Sequence, residues 1–227
     1  MRGDTVLLSP VSVWGDRLVT SPGAVSFLSA AEITDLAPDH PAELLNTLPG
    51  VNVQMNSGQE HLIAVRSPVL NAGAGQGSFL ILENGVPTRS PAFGNVNSLF
   101  EPHFETAGAI EVVRGPGSAK YGSNAVHGLI NVILAEPAGE ALTELRASAS
   151  SLGRYKADLI LDQGYLARGS FSVQKDNGWR DNSGSFQLKG SGVVETVFAG
   201  LDVTALGSYD SLDQETEGFI EGPKAYR

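Results

Sequence analysis

Hydrophobic and polar positions follow two rhythms, one on each side of Glu136-Pro137-Ala138-Gly139. Upstream, short apolar runs alternate with loops of Gly, Pro and Asn, and residues 6–13, 24–28, 62–66, 79–82, 110–114 and 129–134 read as short strands. Asp39-His40-Pro41 opens a helix, because Pro41 falls in the first turn, where its missing N–H costs nothing. Glu43 stands three residues after His40, a capping-box spacing with a poor cap residue. Leu44, Leu45 and Leu48 form the apolar stripe of that helix, and Pro49-Gly50 stops it. The loop over 67–78 is glycine-rich and the one over 88–98 is polar around Phe93. Long loops in a small α+β unit are where function concentrates.

Downstream the period becomes two. Tyr155, Ala157, Leu159 and Leu161 share one face, and Lys156, Asp158, Ile160 and Asp162 the other. Residues 201–210 repeat the alternation, and 141–151, 166–175 and 185–194 show it more weakly. About five up-and-down strands are predicted, joined by Ser151-Leu152-Gly153 and a longer loop over 176–184. On rhythm alone a soluble sandwich is the simpler reading, since any half-buried antiparallel strand alternates.

Composition narrows the partners. A net charge of −10 is wrong for a nucleic-acid binder, which needs a basic face to displace counterions. Cysteine is absent, so disulfides, thiolate metal sites and cysteine nucleophiles are excluded. The longest apolar runs, such as Phe79-Leu80-Ile81-Leu82, fall far short of the ~20 residues of a spanning helix. Met1-Arg2-Gly3-Asp4 has no apolar h-region, so an exported protein is expected to have had its leader removed, omitted or lost through a misplaced start.

The densest motif lies between Ala109 and Leu134: Ile110, Glu111, Val112, Arg114, Gly115, Pro116, Ser118, Tyr121, Gly122, Ala125, Gly128, Ile130 and Asn131. At these positions the chain resembles the plug signature of TonB-dependent outer-membrane receptors, an "IEV-RGP-S-YG--A--G-IN" core. Leu45, Leu48, Pro49, Gly50 and Val51, then Ile63-Ala64-Val65-Arg66, then Leu82-Glu83-Asn84-Gly85-Val86-Pro87 match further family segments in order. Two positions depart: Ser67-Pro68 replaces the glycine after the first arginine, and Glu83-Asn84-Gly85 replaces an aspartate–glycine turn, though Asn-Gly still suits a hairpin.

The resemblance implies an α+β plug domain followed by antiparallel β-strands of an incomplete transmembrane β-barrel. The division is an N-terminal segment at 1–20, the plug at 21–138 and about five barrel strands at 139–227. It further implies the outer membrane of a Gram-negative bacterium and uptake of a siderophore, cobalamin, other metal chelate or oligosaccharide. Energy would come through a TonB-type periplasmic partner, with no cofactor and no resident metal. Asp4, Thr5, Val6, Leu7 and Leu8 look like the box that adds as a strand to that partner; the plainer alternative is an edge strand of the plug. Arg66 and Arg114 end apolar strands, where a charge needs a partner. In the family such arginines meet barrel carboxylates, while Glu83 and Glu111 could instead satisfy them within the plug. Asn71, Gln76, Arg89, Phe93, Asn95 and Asn97 are candidate ligand contacts, chosen for polarity or stacking in the two long loops.

No catalytic constellation emerges. Gly73–Gly77 lacks dinucleotide spacing, the run from Gly115 to Tyr121 lacks the second glycine and hydroxyl of a phosphate loop, and no serine sits in a G-x-S-x-G elbow. His40, His61, His103 and His127 are too scattered for a local zinc motif, and His127 reads as structural. The rival to a receptor is a soluble β-rich binding or adhesion module, with apolar strand faces inward instead of outward. Five strands cannot close a barrel, so the chain is expected to be a fragment or truncated reading frame, unable to transport alone.

Overall fold

A computed structural model describes residues 24–55, 58–66, 79–88, 101–122 and 125–215. Twelve strands among them form three sheets. The first is a mixed sheet of β1 (Ala24–Ser29), β6 (Ala109–Arg114), β7 (Gly128–Ile133), β4 (Phe79–Glu83) and β5 (Val86–Pro87), in that spatial order. Only the β4–β7 pair is parallel, with Phe79 opposite Gly128 and Glu83 opposite Val132. Asn84 and Gly85 both take positive φ between β4 and β5, the turn that the Asn-Gly pair predicts.

Both faces of this sheet are covered. On one side Ile110, Val112, Ile130 and Val132 meet Ile33 of α1 (Ala30–Leu36), Leu44 and Leu45 of α2 (Pro41–Leu45), and Val53 and Ile63 of the hairpin β2 (Val51–Met55) and β3 (His61–Val65). On the other, Leu80, Leu82, Ala125 and Leu129 pack with Tyr121 of α3 (Ser118–Tyr121). The motif of the sequence analysis is thus the central antiparallel pair of the core, β6 and β7.

Two helix starts differ from the sequence reading. Ser29 and Glu32 make a full capping box, Glu32 Oε2 accepting from the Ser29 N–H at 2.7 Å, and α1 follows where no helix was predicted. His40 is an effective cap: its Nδ1 accepts from the Ala42 N–H at 3.0 Å. Glu43 reaches one residue further back, accepting from the Asp39 N–H at 2.9 Å.

The second five-stranded sheet is an antiparallel meander: β8 (Ala141–Ala149), β9 (Arg154–Gln163), β10 (Ala167–Asp176), β11 (Ser185–Phe198) and β12 (Leu201–Gln214). Each strand agrees with an alternating stretch of the sequence, although β11 and β12 each run to 14 residues. This sheet packs against the first unit as a wall, and the site lies along the seam between them.

Candidate functional site

The wall is turned with its polar face inward. Along β9, Lys156, Asp158 and Asp162 are buried while Tyr155 and Leu161 are exposed. Ser170, Ser172 and Gln174 of β10 are buried between exposed Phe171 and Val173, and in β11 Gln187 and Lys189 alternate with exposed Phe186 and Leu188. Register carries the pattern across strands: Asp158 faces Ser172, which faces Lys189, which faces Asp210. Tyr165 and Phe198, 81% and 74% exposed, stand at the short-turn end of the outward band, and Tyr155 and Phe186 stand at the other end. Apolar outside with aromatics at both margins suits lipid, the reverse of a soluble sandwich.

The segment from Glu101 to Thr106, containing a 3-10 turn at Phe104–Thr106, seats the first unit on this wall. His103 is its centre. Ser172 Oγ donates its one proton to Asp158 Oδ1 at 2.5 Å, so at 2.6 Å from the same oxygen His103 Nε2 must carry a hydrogen. Burial holds the imidazole neutral, with its pKa lowered to about 4, so Nδ1 accepts from Ser191 Oγ at 2.9 Å. Ser191 in turn accepts from Ser170 at 2.9 Å, and Ser170 from Thr106 at 2.7 Å. The bonds therefore share one direction, Thr106 to Ser170 to Ser191 to His103 to Ser172 to Asp158, crossing the seam three times.

Beside this chain Lys189, 1% exposed, projects from β11 between two carboxylates of the plug segment. Its Nζ is 3.1 Å from Glu105 Oε1, 3.6 Å from Glu101 Oε2 and 4.2 Å from the centre of the Phe104 ring. Burial alone would push Glu105 up, but Lys189, then His103 and Lys156, outweigh it and hold its pKa below the usual carboxylate range. Glu101 is pushed up to about 8, chiefly by burial, since Lys189 is already closer to Glu105. Further contacts close the seam: Lys156 Nζ donates to the Pro38 carbonyl, Arg154 pairs with Asp39 at 3.4 Å, and the Gln59 N–H donates to Gln214 Oε1 at 2.8 Å. His40 and His61 stack edge to face at 5.1 Å, both kept neutral first by burial, with pKa values lowered to about 3 and about 4.

Arg66 and Arg114 do not pair with Glu83 or Glu111. Arg114 donates to the Pro49 carbonyl at 2.5 Å and the Ala24 carbonyl at 3.4 Å, and Arg66 to the Arg114 carbonyl at 3.5 Å. The reason is strand geometry. Glu111 and Arg114 are three apart on β6 and so point to opposite faces. Glu83 sits opposite Val132 while Arg114 sits opposite Gly128, which sets them roughly 13 Å apart along the sheet. Glu111 accepts instead from Asn131 Nδ2 at 3.3 Å. Arg66, an exposed residue at φ +53°, ends β3 in the left-handed region. Asp4, Thr5, Val6, Leu7 and Leu8, and Asn71, Gln76, Arg89, Phe93, Asn95 and Asn97, lie outside the described residues. The residues that join plug to wall, Glu101, His103, Glu105 and Lys189, are absent from the sequence-derived candidates, because their partners are tens of residues away.

A packed α+β unit seated on the polar face of strands whose other face is apolar defines the plugged barrels of outer membranes. The comparisons agree. The family model "TonB-dependent Receptor Plug Domain" matches residues 17–129. The chain is 32% identical over 133 residues to "Vitamin B12 transporter BtuB" of Photobacterium profundum, covering 58% of this chain and 21% of that protein. It is also 32% identical over 152 residues to "Ferric enterobactin receptor PirA" of Pseudomonas aeruginosa, covering 60% and 19%. In fold it is similar to the pyoverdine outer membrane receptor FpvA of Pseudomonas aeruginosa, with a TM-score of 0.68 at 16% identity over 84% of this chain and 28% of that one. The chain belongs to the TonB-dependent receptors, proteins of the Gram-negative outer membrane. It spans about a fifth of the length of these curated relatives.

Proposed function

We propose that this chain is the plug and first wall strands of an importer that draws a small ligand across the outer membrane, and that it is not an enzyme. The observation that carries this reading is the inverted polarity of the wall, whose polar face closes on the plug while Phe171, Val173 and Leu188 face outward. The division is an N-terminal segment at 1–20, a plug at 21–138 and wall strands at 139–227. Transport belongs to the whole receptor, in which further strands close the cylinder; five strands alone leave two edges that lipid does not tolerate.

The ligand class is a siderophore, cobalamin, another metal chelate or an oligosaccharide. The first three are supported by the vitamin B12 and ferric enterobactin receptors among the relatives. The short turns at 164–166 and 199–200 face the periplasm and the longer loop at 177–184 faces outside, following the usual asymmetry of such barrels. Asn71, Gln76, Arg89, Phe93, Asn95 and Asn97 contribute to the outward ligand surface. Arg66 and Arg114 meet wall strands beyond the fifth. Asp4, Thr5, Val6, Leu7 and Leu8 add as a strand to a TonB-type partner, which pulls once ligand has biased the plug.

Replacing Val6 with proline in the intact receptor removes a strand donor. Uptake of the bound ligand by cells is expected to stop while surface binding stays at the wild-type level. Normal uptake by that variant would sink the assignment of the partner-binding segment.

A further inference from the structure

The seam holds more acid than base. Among the described residues Glu101, Glu105, Asp158 and Asp210 face two lysines, Lys156 and Lys189, with Arg146 on β8 acting on Asp158 alone of the four. Lys156 lies 3.8 Å from Asp158, and Lys189 is hydrogen-bonded to Glu105 at 3.1 Å. Glu101 receives what is left. Its Oε1 is 3.1 Å from His61 Nδ1, a nitrogen shared with the Gln59 carbonyl at the same distance. Its Oε2 is 3.6 Å from Lys189, beyond hydrogen-bond range, and has no hydrogen-bond partner among the described residues. A fully buried carboxylate with so little compensation is far more stable with a proton on it.

Every neighbouring element points the same way. His61 on β3 and His40 behind it on α2 are neutral, so neither supplies a cation. Glu105, within the same segment, and Asp210, on β12, both repel a charge at Glu101. Among the described residues Lys189 on β11 is the one cation close by, and its attraction is divided among Glu101, Glu105 and Asp210. Asp158 and Lys156 on β9 offset each other, and His103 is neutral.

We propose that Glu101 is a proton-binding site that makes the seating of the plug depend on pH, protonated while the plug rests on the wall and ionised when the two separate. The inference rests on the plugged-barrel reading and adds a controlled contact to it. Separation lets water reach Glu101, whose affinity for the proton falls to that of an ordinary carboxylate, and the proton passes to solvent. By linkage the seated state weakens by up to tenfold for each pH unit above the ordinary carboxylate range, until Glu101 ionises in place. The elevation of its pKa to about 8 sets the upper end of that window.

The test uses the intact receptor in detergent, without ligand. Infrared spectra are recorded as pH is raised from about 6 to about 9, covering the upper part of the linkage window and its end at about 8. Hydrogen-exchange protection of the 101–106 segment, corrected for intrinsic exchange, is followed over the same range. Wild type is expected to show a protonated-carboxyl C=O band that disappears as pH passes through about 8. Glu101→Gln, which mimics the protonated acid, is expected to lack the titrating band and to keep its protection flat, while Glu105→Gln, which removes a repelling charge and leaves Lys189 to Glu101, moves the loss of the band to lower pH. The proposal is overturned if Glu101→Gln still shows the titrating band, if Glu105→Gln leaves it unmoved or moves it to higher pH, or if Glu101→Gln and wild type lose protection together. Should Glu101→Gln not assemble, the presence of the band in wild type and its displacement to lower pH in Glu105→Gln decide alone. Ligand uptake by wild-type cells tests the import reading separately, since a receptor that imports nothing would still show or lack the titration.

Discussion

Lys189 Nζ of the wall lies 3.1 Å from Glu105 Oε1 of the plug, a residue 84 positions earlier in the chain. Both are buried, so neither charge has water to fall back on. Replacing Lys189 with methionine leaves Glu105 uncompensated and is expected to cost about 3–5 kcal/mol. Adding Glu105→Gln should restore part of that loss, because the orphaned charge goes with it. Thermal unfolding of the intact receptor checks both; additive effects of the two changes would remove the coupling.

Stability should fall at both ends of the pH scale, for different reasons. His40, His61 and His103 have folded pKa values depressed to about 3, about 4 and about 4, so they are neutral when folded but protonate in the unfolded chain from the ordinary value of 6.5 downward. Their contribution is present above 6.5 and drains away as pH falls toward 4. Glu105, also depressed, adds to the loss below its usual range. Glu101 has the opposite sign: its folded pKa is raised, so stability declines as pH climbs from 4.5 to about 8. Melting temperatures across this range should be highest in the middle, and His103→Gln should flatten the acid limb. A profile that rises steadily to alkaline pH would contradict the assignments.

The outward face offers a direct test of lipid exposure. Phe171 is central on β10 and points away from the plug. Phe171→Arg should cost about 2–4 kcal/mol of folding in a bilayer, the value for a cation near the midplane. A soluble module would tolerate the same change, so unaltered assembly into membranes would remove the wall from lipid.

Gly128 begins β7 where a side chain has no room. A Cβ there would lie 2.6 Å from the Val113 carbonyl oxygen and 3.3 Å from Val65. Gly128→Ala is expected to destabilise the plug by about 1–3 kcal/mol, as overpacking does. Denaturant unfolding measures it, and an unchanged midpoint would show that β6 can yield.

Ala37 caps α1 at φ +43°, a left-handed conformation that a methyl group resists. Ala37→Gly should raise stability by about 0.5–1 kcal/mol, the relief of strain less the added chain entropy. A lower melting temperature would mean that the methyl group packs more usefully than its backbone suggests.

Much of this architecture was legible in advance. Apolar runs located β3, β4, β6 and β7 to within a residue or two, and period-two alternation located all five wall strands. Less visible were elements held by local polar chemistry or weak pairing. The Ser29–Glu32 box that starts α1 is such a piece of local polar chemistry. Among the described residues strand β2 pairs with β3 alone, and it is apolar at just Val51, Val53 and Met55. Which wall face turns inward could not be read, because alternation is symmetric until something covers one side. The seam was hidden for a related reason: His103, Ser172 and Lys189 are ordinary residues until folding places them side by side.

The hydroxyl chain through Thr106, Ser170, Ser191 and Ser172 also bears on how readily the two parts can slip past one another. Small alcohols trade a neighbour for a water molecule at little net loss, so most of this joint behaves as a lubricated bearing. Resistance is concentrated at the charged crossings, the Lys189 and Lys156 ammonium groups and the Arg154–Asp39 pair, and a pull on the plug would meet friction there first.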